Sequence, residues 1–224
     1  MSREFNGLLV INKPKGITSF DVIRQLRRIT GERKIGHTGT LDPMATGVMI
    51  LLFGSATKRA GEYSQLDKTY LAEITLGFTS STGDAEGELR EISDTRPDRG
   101  QVESVLTAFI GTIKQTPPVY SAIKIGGQEA YKRARRGEEV EMPTRQVTIH
   151  SIKLIEYDYP KLTIQADVSS GTYIRTLAAD IGQKLGTGAY LSALERTKAG
   201  DFNLDQAISL DSSQEIIESN ITAV

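Results

Sequence analysis

The chain has 224 residues, 38% hydrophobic and 25% charged, which is the balance of an ordinary folded protein with enough material to bury a core. It has no cysteine and two histidines, His37 and His150, far apart in sequence. This excludes disulfides, thiol catalysis and Cys-ligated zinc, and it argues against a histidine metal site. The net charge of −1 hides an asymmetry, because Asp201, Asp205, Asp211, Glu215 and Glu218 stand in residues 201–224 with no base, leaving +4 on residues 1–200.

Residues 1–6 have no apolar signal core. Leu8 to Ile11 reads as a buried strand, ended by the turn Lys13-Pro14-Lys15-Gly16. Thr18 or Ser19 caps a helix whose apolar residues Val22, Ile23, Leu26 and Ile29 keep helical spacing until Gly31. Val48 to Phe53 is a second buried strand and the longest apolar run, far too short to span a bilayer. A short helix opens at Ser55 and runs to about Gln65. Tyr70, Ala72, Ile74, Leu76 and Phe78 then alternate as the apolar face of a strand.

Residues 79–88 form a polar loop, and Val102, Val105, Leu106, Phe109 and Ile110 mark an amphipathic helix ended by Gly111. Pro117-Pro118 starts an extended stretch to Ile125, Gly126-Gly127 turns, and Gln128 to Arg136 reads as a basic helix. Strands are expected at 146–157 and 161–168, a helix from Ile174 to Leu185, and a short helix near Leu191 to Arg196. The short turn between the two strands demands antiparallel pairing. The fold class read from this pattern is α+β, with a mixed, mostly antiparallel central sheet flanked by helices.

The stretch Gly36-His37-Thr38-Gly39-Thr40-Leu41-Asp42-Pro43-Met44-Ala45-Thr46-Gly47 holds one carboxylate among small residues and one imidazole. Glycines let a backbone approach a ligand, and Pro43 keeps Asp42 out of helical geometry. Such a loop can present a nucleophile, although Asp-Pro is equally a turn dipeptide. Gly171-Thr172-Tyr173-Ile174-Arg175 sets an aromatic and a guanidinium at a strand-to-helix junction, and Lys68-Thr69-Tyr70 puts a tyrosine at a strand start. Basic groups occur at Arg24, Arg27, Arg28, Arg33 and Lys34, and at Lys124, Lys132, Arg133, Arg135 and Arg136. Each feature alone has a structural explanation. Together, an acid, an arginine, aromatics and basic flanks suit a nucleotide better than a small metabolite.

In this order the motifs closely resemble the bacterial TruB family of tRNA pseudouridine synthases, from about Gly7 to Gly200. They are Lys13-Pro14-Lys15-Gly16, the Asp42 loop, Ala56-Thr57-Lys58, Lys68-Thr69-Tyr70, residues 117–124 (Pro-Pro-Val-Tyr-Ser-Ala-Ile-Lys) and the Arg175 junction. The resemblance implies a pseudouridine synthase-like fold and isomerisation of the T-loop uridine at tRNA position 55, without cofactor or metal.

In that family pattern Asp42 attacks the sugar or starts a glycal route, and Arg175 pairs with it, which would keep the acid ionised at neutral pH. Tyr70 stacks on the target base or helps remove its C5 proton, stacking being favoured because a phenol is a poor base unless tuned; Tyr173 and Leu194 line the uracil pocket, and Asp84 lies near the substrate. His37 fills the space left by the flipped base, while Lys13, Lys58 and the segment 124–136 hold the RNA backbone.

Relatives often continue into a small C-terminal RNA-binding domain of the PUA type. The expected organisation here is a catalytic domain over 1–200, an acidic tail over 201–224 packing on it or trailing from it, and no PUA domain. Where relatives carry two arginines after the leucine, this chain has Glu195 and Arg196, which puts one phosphate contact in question. The expected setting is the cytoplasm, with tRNA (its T stem-loop) as partner and neither a membrane nor a protein partner. The alternatives are an RNA-binding or tRNA-folding chaperone, and the same isomerase acting on another T-arm-like RNA.

Overall fold

The computed structural model describes residues 5–121 and 123–224. Residues 1–4, read above for a signal core, and Ala122, within the 117–124 motif, lie outside the described residues.

In chain order the elements begin with β1 (Gly7–Lys13), α1 (Ser19–Thr30), β2 (Ile35–His37) and β3 (Thr46–Phe53). A 3-10 turn (Gly54–Arg59), α2 (Ala60–Ser64), β4 (Lys68–Leu76), β5 (Phe78–Ser80) and β6 (Leu89–Glu91) follow. Next come α3 (Arg99–Thr107), β7 (Gly111–Gln115), β8 (Lys124–Ile125), β9 (Gln128–Glu129) and α4 (Ala130–Ala134). The chain continues through β10 (Arg145–Asp158), β11 (Lys161–Val168), α5 (Ile174–Leu185) and β12 (Ala189–Ala199). It closes with β13 (Phe202–Asn203), a 3-10 turn, β14 (Ile208–Ser209) and α6 (Gln214–Ser219).

Two compact units divide these elements: Met1–Tyr70 with Leu194–Val224, and Leu71–Ala193. Strands β4 and β12 carry residues of both. In the first unit β1 and β3 pair antiparallel over their full length, from Gly7↔Phe53 to Lys13↔Gly47. Their runs are apolar at successive positions because both faces are buried. Leu9, Ile11, Met49, Leu51 and Phe53 pack with Val22, Ile23 and Leu26 of α1 and Ile217 of α6. Leu8, Val10, Val48, Ile50 and Leu52 pack on the opposite face with Ala56 and Ala199. Each such side chain contributes about 1.5–3 kcal/mol on burial, so this strand pair anchors everything attached to its ends.

Helix α1 starts and stops where its local chemistry dictates. Thr18 accepts from Asp21 N–H while Asp21 accepts from Thr18 N–H, a capping box, and Gly31 ends the helix at φ 74. Residues 201–224 belong to this first unit. Strand β14 pairs parallel with β1, Thr222 bridges Leu8, and Leu210 and Ile217 are buried in the α1 core.

The second unit is built on β10, which pairs antiparallel with β11 on one side and β7 on the other. Helices α3 and α5 belong to the same unit. The segment 119–142 has a small core of its own, where Val119, Ile123 and Ile125 pack on Ala130, Val140 and Met142.

Several elements depart from the expectations. The strand expected through Phe78 ends at Leu76, where Gly77 at φ 89 breaks it before β5, and the helix expected from Ser55 begins as a 3-10 turn. The helix expected near Leu191 to Arg196 is part of strand β12: its Leu191/Leu194 spacing looks helical, but ladder bonds to β3 at Glu195↔Thr46 and Arg196↔Gly47 override local propensity. The basic helix expected over 128–136 shrinks to Ala130–Ala134, because Gly126 and Gly127, at φ 60 and 85, close a β8–β9 hairpin that takes Gln128 and Glu129. The amphipathic helix ends at Thr107 rather than at Gly111, which instead begins β7.

Candidate active site

The Asp42 loop leaves β2 and enters β3, and the carbonyls of Gly39, Leu41, Pro43 and Ala45 along it are held by side chains of the first unit. Lys13 Nζ donates to Pro43 O (3.4 Å), Ala45 O (2.8 Å) and Pro14 O (2.9 Å). Arg196 Nε donates to Val48 O (2.7 Å) and its Nη2 to Gly39 O (3.1 Å). Ser19 Oγ donates to Leu41 O (3.1 Å) and accepts from Leu41 N–H (2.9 Å). Gly16 N–H reaches Pro43 O at 2.7 Å, and Asp42 O closes a turn with Ala45 N–H at 3.0 Å. Leu41, Met44 and Ala45 are buried beneath, whereas Asp42 itself is half-buried and keeps contact with solvent.

Gly47, at φ 104, is required by packing as well as by its dihedral: a Cβ there would lie 2.3 Å from Arg196 O. The glycine lets β12 pass against the loop exit. A carboxylate presented on a backbone fixed at this many points needs little rearrangement to meet a reacting carbon, which is the physical requirement of a positioned nucleophile.

Around this loop the expected residues divide. His37, half-buried at the end of β2, has a buried Nδ1 with no hydrogen-bond partner, and burial and then the Arg196 charge lower its pKa below the ordinary value. A neutral imidazole follows, so its contact with RNA would be steric or through hydrogen bonds rather than a charge pair. Tyr70 is buried on β4, and Leu194 is half-buried on β12. Lys58 is exposed in the 3-10 turn, free to reach a phosphate.

Lys13 requires correction. Its side chain is 0% exposed and its ammonium is committed to loop carbonyls, so it organises the loop and is not an RNA-backbone contact. Arg196, the one base after Leu194 where relatives carry two arginines, is likewise buried and also holds carbonyls of the loop and its exit.

The second unit carries the other expected residues. Arg175 opens α5 and is buried, with Nη1 donating to Thr82 O (3.0 Å) and Nη2 to Tyr120 O (2.7 Å). Its Nη1 also lies 3.4 Å from Asp84 Oδ2. Asp84 is held in turn by Thr82 Oγ1 (2.6 Å) and Glu86 N–H (3.1 Å) on Oδ1. The structure thus makes Asp84 a buried ionic neighbour of Arg175.

Tyr173 is half-buried, and the Arg145 guanidinium lies 4.8 Å from its ring centroid. On the 119–142 segment, Arg133 and Arg136 both meet Glu138 (2.8 and 2.7 Å) and Lys132 meets Glu129 (3.0 Å). These are surface pairs, each contributing little.

Sequence reasoning missed Gln115, Arg145, Ser19 and Arg196 as site-building residues. Gln115 left a signal: strand alternation puts it on the buried face of β7, where an amide must find partners. Among the described residues no group of three or more His, Asp or Glu side chains is arranged to hold a metal, and no helix is long and apolar enough to cross a membrane.

Comparison with known proteins identifies the family of the chain. Residues 27–174 match the TruB family pseudouridylate synthase N-terminal domain, and residues 175–221 match the tRNA pseudouridylate synthase B C-terminal domain. A tRNA pseudouridine synthase B of Cupriavidus taiwanensis is 49% identical over 93% of this chain and 67% of its own length. One from Fusobacterium nucleatum is 49% identical over 89% of this chain and 69% of its own. Among solved structures, one chain of a Cbf5-Nop10-Gar1 complex superposes with a TM-score of 0.74 at 28% identity, covering 93% of this chain and 54% of that one. The chain therefore spans about two thirds of these curated relatives and about half of that solved chain. It belongs to the TruB family of pseudouridylate synthases.

Proposed function

We propose that this chain isomerises uridine to pseudouridine in the T-loop of tRNA, at the uridine conventionally numbered 55, with Asp42 as the reacting carboxylate. The observation that carries the residue assignment is the Asp42 loop, a half-buried acid on a backbone pinned by the buried cations Lys13 and Arg196. The tRNA substrate rests on the names of the curated relatives.

The reaction breaks the N1–C1′ bond, turns the base and joins C5 to C1′; N1 gains a proton as C5 loses one. It is redox-neutral and consumes no energy source. Loss of the base develops positive character at C1′, which a carboxylate can stabilise or capture. Arg175 serves as the cation of the site, with Asp84 orienting its guanidinium. Tyr70 stacks on the extruded base, and Tyr173 and Leu194 form apolar walls that keep water from the intermediate. His37, neutral, occupies the space the base vacates, at an unstacking cost of a few kcal/mol. Lys58 and the segment 124–136 hold phosphates, where charge gives affinity with little sequence selectivity.

The test is tritium release from C5-labelled uridine in T-arm RNA, with no cofactor added. Wild-type protein should release tritium, and Asp42→Asn should not while keeping the wild-type melting profile. Turnover by the variant would remove Asp42 from its role, and a silent wild type would remove the activity. An Asp42→Asn protein that still accelerates tRNA folding would show an additional chaperone role.

A further inference from the structure

We infer that Gln115 and Arg145 form a two-residue clamp that positions Tyr173 and the start of α5 for catalysis. The inference deepens the function proposed above and rests on Tyr173 lining the base pocket. All of its contacts lie within the second unit.

Gln115 ends β7 and Arg145 begins β10, and the two are direct cross-strand partners. On an antiparallel ladder such partners project from the same face. Gln115 is 1% exposed. Its Oε1 accepts from Tyr173 N–H at 2.7 Å, and its Nε2 donates to Tyr173 O at 3.1 Å. A side-chain amide thus copies one rung of a β-ladder onto the backbone of a single residue.

Tyr173 needs this support because of where it sits. It is the N-cap residue of α5, in extended geometry (φ −97, ψ 111), and its side chain makes no capping hydrogen bond. Tyrosine cannot satisfy the helix start as Ser or Asp would. Without Gln115 the Tyr173 amide would lose its acceptor, and the junction between Gly171 and α5 would lose two of its anchoring hydrogen bonds.

Arg145 acts on the same residue from the ring side. Its Nη2 donates to Gly171 O, and its guanidinium lies 4.8 Å from the Tyr173 ring centroid. A cation over a ring face fixes which way the ring lies. A further link joins the two segments, since Thr176 Oγ1 in the first turn of α5 donates to Thr116 O at 3.3 Å. Arg175 Nη2 reaches Tyr120 O at 2.7 Å further along. Tyr173 and Arg175 are therefore set by one continuous seam running from Gln115 to Tyr120. Gln115 and Arg145 are positioning residues, acting through Tyr173 rather than on the substrate.

The test uses the full chain with Gln115→Met, Arg145→Met, Arg145→Lys and Tyr173→Ala. It measures single-turnover pseudouridine formation at saturating T-arm RNA, RNA affinity by filter binding, and protection of the Tyr173 amide by hydrogen exchange. Gln115→Met should lower the single-turnover rate about tenfold or more while RNA affinity stays within about twofold, a loss in rate rather than in binding. Tyr173 amide protection should fall by about tenfold, as expected when its acceptor is removed.

Arg145→Met should slow the reaction, Arg145→Lys should recover part of the loss, and Arg145→Met should cost less on Tyr173→Ala than on wild type, because the ring contact is already gone while the Gly171 contact remains. Unchanged rate and unchanged Tyr173 protection in Gln115→Met would overturn the clamp. So would rate losses matched by losses in RNA affinity, or strict additivity of Arg145→Met with Tyr173→Ala. An inactive wild type would overturn the proposed function instead, and the exchange measurement would then decide the clamp alone.

Discussion

Lys13→Met separates two roles for the same lysine. Its ammonium is fully buried and donates to the carbonyls of Pro14, Pro43 and Ala45. Charge-assisted bonds of this kind contribute about 1.5–3 kcal/mol each. The penalty of keeping an ammonium out of water offsets part of that sum. Methionine refills the stem of the lysine but leaves three acceptors without their donor, so the net loss should be about 2–4 kcal/mol. For a chain of this size that lowers the melting midpoint by about 5–15 °C. The single-turnover rate should fall further than global stability alone predicts, because the affected carbonyls flank Asp42. Calorimetry and single-turnover assays at a temperature where both proteins are folded would measure this. A phosphate-binding Lys13 predicts the opposite pattern, with an unchanged midpoint and a salt slope of RNA binding reduced by about 1. That outcome would refute the loop-organising role.

Other perturbations reach the same architecture. Gly47→Ala should destabilise the first unit by about 2–4 kcal/mol in urea titrations, since its Cβ would meet Arg196 O at 2.3 Å and alanine is strained at positive φ. Asp84→Asn removes a carboxylate buried 3.4 Å from Arg175, and should cost about 1–3 kcal/mol, less than a full broken pair because Thr82 O and Tyr120 O remain; product assays should show a loss of rate as well. Lys68 has its pKa lowered from 10.5 to about 8, first by burial and then by the Arg196 charge. The unfolded chain then holds the proton more tightly than the folded one between about 8 and 10.5, so Lys68 makes stability rise with pH across that window and its charge opposes folding most below about pH 8. Comparing wild type with Lys68→Met by urea titration at pH 7.5 and 9.5 isolates this effect, and the variant should lose that rise.

Much of the molecule was legible from local chemistry. The β1 and β3 strands announced themselves as apolar runs, because a strand buried on both faces has no polar positions to confuse the pattern. Helix α1 was bounded by Thr18 and Gly31, whose capping roles depend on neighbours a few residues away. The Asp42 loop was recognisable because glycine, proline and a lone acid are unusual together. Residues 189–199 became a strand, and not a helix, because neighbouring strands, β3 and β13 among them, offer ladder partners that no window of sequence contains. The same holds for the duties of the buried cations. Lys13 and Arg196 look like solvated or phosphate-binding charges in the sequence, yet their acceptors lie 32 and 157 residues away. Gln115 meets Tyr173 across 58 residues. Residue type determines what a side chain is able to bind, and periodicity determines which face it takes; the partner is chosen only when distant segments close on one another, since a polar group taken out of water must pair with whatever the fold delivers.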